Sequence, residues 1–199
     1  MSERIPPLPL QRHSSEHGRG SPREHGPLRT IMVSGSLAST GRLALSYVLC
    51  GDLAQLQLPD AAGDAAGSGA RRDELWRHTC MELFARGDDA PGYLEFNFSP
   101  AGDWAAYGFD AYRAGRRDIE AHDCSTRLQR RGDELQLHFS LNVPLMAAGA
   151  GVKSWHLGFA AIAAQRDGAL SYWALRHPRQ QPDFHDPDGF SHVLRVPTD

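Results

Sequence analysis

Between residues 74 and 110 hydrophobic and polar side chains alternate with the two-residue period of a half-buried strand. Leu94, Phe96 and Phe98 share one parity; Tyr93, Glu95, Asn97 and Ser99 share the other. Met81 and Leu83 likewise oppose Cys80, Glu82 and Phe84. Pro91-Gly92 and residues 99–102 are turn punctuation, so the stretch predicts the middle of an antiparallel sheet. The clearest alternation lies further on, where Leu135, Leu137, Phe139, Leu141 and Val143 interleave with Glu134, Gln136, His138, Ser140 and Asn142. Arg131-Gly132-Asp133 before it reads as a hairpin turn from a strand over 122–129, and Arg166-Asp167-Gly168 as another. Further strands are expected over 29–34, 42–49, 155–164, 170–175 and 189–196, with 155–164 apolar enough to be covered on both faces. About nine short strands with no long helix predict an all-β antiparallel sandwich or jelly-roll.

Two stretches fall outside this pattern. Residues 1–26, rich in Pro, Ser, His, Gly and Arg, read as a flexible, disordered leader, with Pro-Pro-Leu-Pro as a polyproline partner motif. Residues 61–70 are low in complexity and read as an exposed loop. A chain of 199 residues with 41% apolar content then holds one β-sandwich domain over residues 27–199.

Charge and cysteines remove several classes of function. A formal charge of −3 gives no basic excess for nucleic acid, and Arg116-Arg117 and Arg130-Arg131 read as solvated turn charge. Three cysteines, Cys50, Cys80 and Cys124, show neither zinc spacing nor a disulfide framework. No stretch has the apolar length of a signal peptide or membrane span, so the expected location is the cytoplasm.

Three constellations have chemistry to offer. The polar sheet parity gathers Glu82, Glu95 and Asn97, with His138, Ser140 and Asn142 from the later hairpin; paired carboxylates can do acid–base work, though outward sheet faces are polar in any case. The aromatic set is Trp76, Trp104, Tyr107, Trp155, Trp173 and Phe184, flat surfaces of the kind that hold sugar rings; Trp76 and Trp104 sit at strand entrances, Trp155 in the buried run. The third runs from His177 through Asp183, His185, Asp186 and Asp188, where a structural metal could be held in an otherwise ordinary turn-rich loop. No Gly-rich phosphate loop, nucleophile elbow or HExxH is present.

Trp76-x-x-Thr79-Cys80-x-Glu82-Leu83-Phe84, Glu95-Phe96-Asn97-Phe98-Ser99-Pro100-x-Gly102 and Phe184-His185-x-Pro187-x-x-Phe190 together resemble the bacterial DOMON-like proteins related to family-9 carbohydrate-binding modules, across residues 28–196. The resemblance implies a sandwich with a concave face on which two aromatic rings clamp a sugar beside a glutamate. Trp76 and Glu82 match the first ring and that glutamate; Trp173 and Phe184 both lie in the region of the second. It also implies two alternatives. Some relatives bind haem through a methionine and a histidine, for which Met81 with His78, His138 or His177 would be the candidates; some hold structural calcium. The expectation is a non-catalytic small-ligand binder, most readily of a sugar, with Trp76, Glu82, Glu95, Asn97, Trp104, Trp173 and Phe184 as site residues. Haem-based electron transfer and docking of a protein partner are its rivals.

Overall fold

The computed structural model describes residues 1–14, 26–58, 66–67, 69–88, 90–147 and 151–196. The loop expected over 61–70 lies partly outside them, as do residues 15–25 of the expected leader. One layer runs β4 (Ala66–Gly67), β9 (His122–Arg131), β10 (Glu134–Asn142), β3 (Arg42–Gly51), β2 (Leu28–Ala38) and β1 (Ser2–Arg12). The other runs β12 (Leu170–Ala174), β11 (Ser154–Ala164), β5 (Cys80–Gly87), β6 (Tyr93–Phe98), β7 (Trp104–Phe109) and β8 (Arg117–Asp118), with β13 (His192–Arg195) on the far end of β11. Neighbours are antiparallel throughout. No α-helix occurs among the described residues; short 3₁₀ turns lie at Leu53–Gln55, Leu75–Arg77, Pro144–Met146 and Pro187–Gly189.

The alternating parities decide what faces what. Leu43, Leu45, Tyr47 and Leu49 of β3 and Leu135, Leu137, Phe139 and Leu141 of β10 point inward. They meet Met81, Leu83, Leu94, Phe96, Phe98, Leu157 and Phe159 from the other layer in one apolar core. Phe98 stacks on Phe139 across it, centroids 4.7 Å apart. The Tyr47 hydroxyl crosses the same gap to donate to the Glu82 carbonyl at 2.8 Å.

Strand β1 corrects the expectation of a disordered leader. Residues 2–5 and 8–10 pair with β2, and Gln11 and Arg12 pair with β12, so this strand joins the two layers. The register slips between Ile5 and Leu8, a bulge that takes up Pro6-Pro7, which have no N–H to give the ladder. The strand was hidden in the sequence because of its three prolines and because the bulge sets Ile5 and Leu8 three residues apart, off the two-residue period. The Pro-Pro-Leu-Pro segment is therefore sheet and no free polyproline ligand. Ile5 is buried in the core. Ile5→Val should cost about 0.5–1.5 kcal/mol in urea unfolding, whereas a leader detached from the core would give no change.

The layer from β12 to β8 is covered on its second face too, which is why β5 and β6 are buried almost without interruption. The chain between β12 and β13 lies over it and brings Phe190 onto Phe84, ring centroids 5.7 Å apart and nearly parallel. Gly158 pairs with Phe84, and a Cβ there would lie 2.6 Å from the Phe190 ring, so the stacking depends on a glycine at that position.

Candidate functional site

On this second face a cavity of about 560 Å³ opens between the sheet and its covering chain. Strand register explains its depth. One row across the sheet reads Ala174, Ala160, Glu82, Asn97, Ala105. Small alanines flank a single long acidic side chain, leaving room above them. The next row reads Gly158, Phe84, Glu95, Tyr107, Asp118. Glu82 and Glu95 are thus diagonal neighbours on adjacent strands, on the same face, and both line the cavity.

The two carboxylates are buried, and both titrate above the ordinary carboxylate range. For Glu82 the first cause is loss of water, the second the charge of Glu95, with Arg113 opposing. Glu95 is also raised by burial, but Asn97, Arg116 and Arg113 favour its charged form. Asn97 Nδ2 donates to Glu95 Oε1 at 2.7 Å. Burial therefore favours the protonated form of both carboxyls, more strongly at Glu82, whose only opposing influence is the Arg113 charge, than at Glu95. A carboxyl that holds its proton can donate as well as accept, so the pair gives the cavity hydrogen-bonding groups of both kinds.

A third polar group faces them. His185 Nδ1 lies 2.7 Å from the Tyr93 hydroxyl, which accepts the Arg113 backbone N–H at 3.2 Å. Burial pushes Tyr93 up to about 12, so its hydroxyl keeps its proton in this hydrogen bond. Burial, with the Arg113 charge, lowers His185 to about 4, leaving the ring neutral. Nε2 is 3.9 Å from Glu95 Oε2, too far for a direct hydrogen bond and open to a ligand atom between. Arg113 sits at φ 53°, a left-handed conformation costly for a side-chain-bearing residue, and this turn brings its amide to Tyr93.

Aromatic side chains complete the walls. Trp76 rides on the 3₁₀ turn Leu75–Arg77, whose Leu75 is anchored in the apolar layer, and its indole remains 45% exposed. The Arg77 guanidinium lies 5.2 Å from the indole ring and is itself paired with Glu74, which pins the ring from one side. Phe184 lines the cavity from the covering chain, with Tyr172 6.2 Å from it, centroid to centroid. Tyr107 and Phe109 enter from β7.

Of the seven expected site residues, the fold brings Trp76, Glu82, Glu95 and Phe184 together in this cavity. Asn97 is fully buried behind Glu95 and orients it without lining the space. Trp104 and Trp173 are corrections. Both have the parity of the sandwich core: Trp104 lies alongside Ala106, and Trp173, paired with Ala161, is buried with Nε1 donating to Ser171 Oγ. The cavity parity belongs instead to Tyr172, opposite Ile162. His138 and Ser140 lie on the outer face of the other layer, so the expected single polar face is split in two. Arg113, Arg116 and Tyr172 were not anticipated as site residues. Only the parity of residues 170–174 carried a signal for any of them.

The residues do not fit haem ligation. Met81 has no exposure and is enclosed in the core, while His78, His138 and His177 lie outside the cavity lining. In the Asp/His-rich loop, Asp183 accepts from Tyr112 and Arg113, and buried Asp186 accepts from Arg179 and caps the turn after it. Among the described residues no three His, Cys, Asp or Glu side chains come together as a metal site.

No protein-family model matches this chain, and no curated protein does. Its fold is similar to that of a solved "putative carbohydrate-binding protein" from Bacteroides uniformis, with a TM-score of 0.58 at 15% identity over 94% of this chain and 84% of the other. At that identity the likeness bears on the fold.

Proposed function

We propose that the protein is a non-catalytic binder of a sugar or sugar-containing metabolite in the Trp76–Phe184 cavity. The observation that carries this is the coexistence of a half-exposed tryptophan with a buried carboxyl pair in one space. A sugar ring has apolar C–H faces and a hydroxyl-bearing edge. Trp76 and Phe184 supply flat area for the faces; Glu82, Glu95 and His185 supply hydrogen-bonding groups for the edge. The carbohydrate-binding neighbour from Bacteroides uniformis supports the reading at the level of a binding role.

Thermal unfolding of the purified protein against a panel of mono- and disaccharides and nucleotide sugars tests it. A ligand that binds only the folded state adds ~2.7 kcal/mol of stability at a hundredfold excess over its Kd. A sugar-dependent rise in Tm that is lost in Trp76→Ala is expected. A panel without any shift contradicts the reading.

A further inference from the structure

We infer that the ligand is an acidic sugar derivative, carrying a carboxylate or phosphate that Arg116 receives while its hydroxyl edge meets Glu82 and Glu95. This rests on the sugar reading of the cavity and specifies the class of sugar.

Four arginines surround this end of β7, and three are already committed. Arg71 pairs with Asp118 at 2.5 Å and with Asp73 at 3.2 Å. Arg113 pairs with Asp183 at 2.9 Å, and Arg117 with Asp110. Arg116 has no carboxylate within ion-pair distance among the described residues, yet it lines the cavity. Its guanidinium lies 5.0 Å from the Tyr107 ring centroid. That ring is itself fixed, because its hydroxyl donates to Asp73 at 2.6 Å. A cation laid on an aromatic wall is a held group with its donors unused, and guanidinium geometry matches carboxylate and phosphate oxygens.

The floor of the cavity cannot take such an anion. Two buried carboxyl groups lie there, His185 is neutral, and Arg113 is matched by Asp183, so an acidic group placed low would find no free cation. Placed at Arg116 it meets a guanidinium that no carboxylate among the described residues approaches within ion-pair distance. The cavity therefore has a polarity, acid-lined at the floor and cationic on the β7 side, and a ligand matching both ends has hydroxyls on one edge and an anion on another.

Calorimetric titration of the whole chain with D-glucose, glucuronate, glucose 6-phosphate and glucosamine at low salt tests this. At least one of the two anionic sugars should bind about tenfold more tightly than glucose, and which one does so separates a carboxylate site from a phosphate site. In Arg116→Gln the ratio to glucose should fall to near one; the side chain is exposed, and an unchanged Tm would confirm that the fold is intact. Equal binding of glucose and both anionic sugars would overturn the acidic-ligand inference and leave the sugar reading standing. Preference for glucosamine would overturn it in favour of a cationic ligand against Glu82 and Glu95. Loss of all four together with a flat sugar panel would remove both readings.

Discussion

Phe84→Ala is expected to lower the unfolding free energy by about 3–5 kcal/mol, the range for truncating a buried aromatic side chain. Phe84 is almost completely buried on the cavity face of β5. Its ring stacks on Phe190 and meets the edge of His185 at 5.2 Å, so it joins the sheet to the chain that covers it. The void cannot close easily, because strand pairing fixes β5 between β6 and β11. In a domain of this size each kcal/mol moves Tm by about 2–4 °C. Urea unfolding and a thermal scan measure it. A loss under about 1 kcal/mol would mean that the Phe84–Phe190–His185 layer is not packed as described.

Glu82→Gln should make the protein more stable, and by an amount that grows with pH. The folded-state pKa of Glu82 is raised by burial and by Glu95, so above the unfolded carboxylate value the native state holds a proton that the unfolded chain has lost. Native-state stability then falls as pH rises through that window, by at most about 1.4 kcal/mol per pH unit for one proton. Glutamine keeps the size and polarity of the side chain and removes the ionisation, so the variant escapes this loss. His185 works in the opposite direction: its lowered pKa costs stability as pH falls from its unfolded value towards about 4. That contribution is common to both proteins and cancels in the difference. Denaturant unfolding from pH 4 to pH 8 should give variant and wild type equal stability at the acid end and a widening gap above it. A gap independent of pH would show that Glu82 is not held protonated.

Much of the fold was legible because alternation survives where each strand has one core face. Leu94, Phe96 and Phe98 reach the core and Glu95 the cavity, as their parity predicts, and Glu134 to Val143 behaves in the same way. Legibility failed where another constraint replaced alternation. In β1 the prolines obscure it; in β12 the pair Tyr172-Trp173 offers an aromatic on each face, and residue size favours the wrong one. Arg116 looked like ordinary turn charge, since nothing in the sequence says that its neighbours Arg113 and Arg117 find carboxylates and it does not. Trp76 and Phe184 are 108 residues apart, and only the covering chain between β12 and β13 brings them to one cavity.

The central claim is that this cavity binds a sugar against Trp76. Titration calorimetry with the sugar giving the largest rise in Tm, on wild type, Trp76→Ala and Trp104→Phe, tests it most directly. The cavity account predicts that binding is lost in Trp76→Ala and retained in Trp104→Phe, because Trp104 packs against the core on the opposite sheet face. Equal affinity in wild type and Trp76→Ala would contradict it.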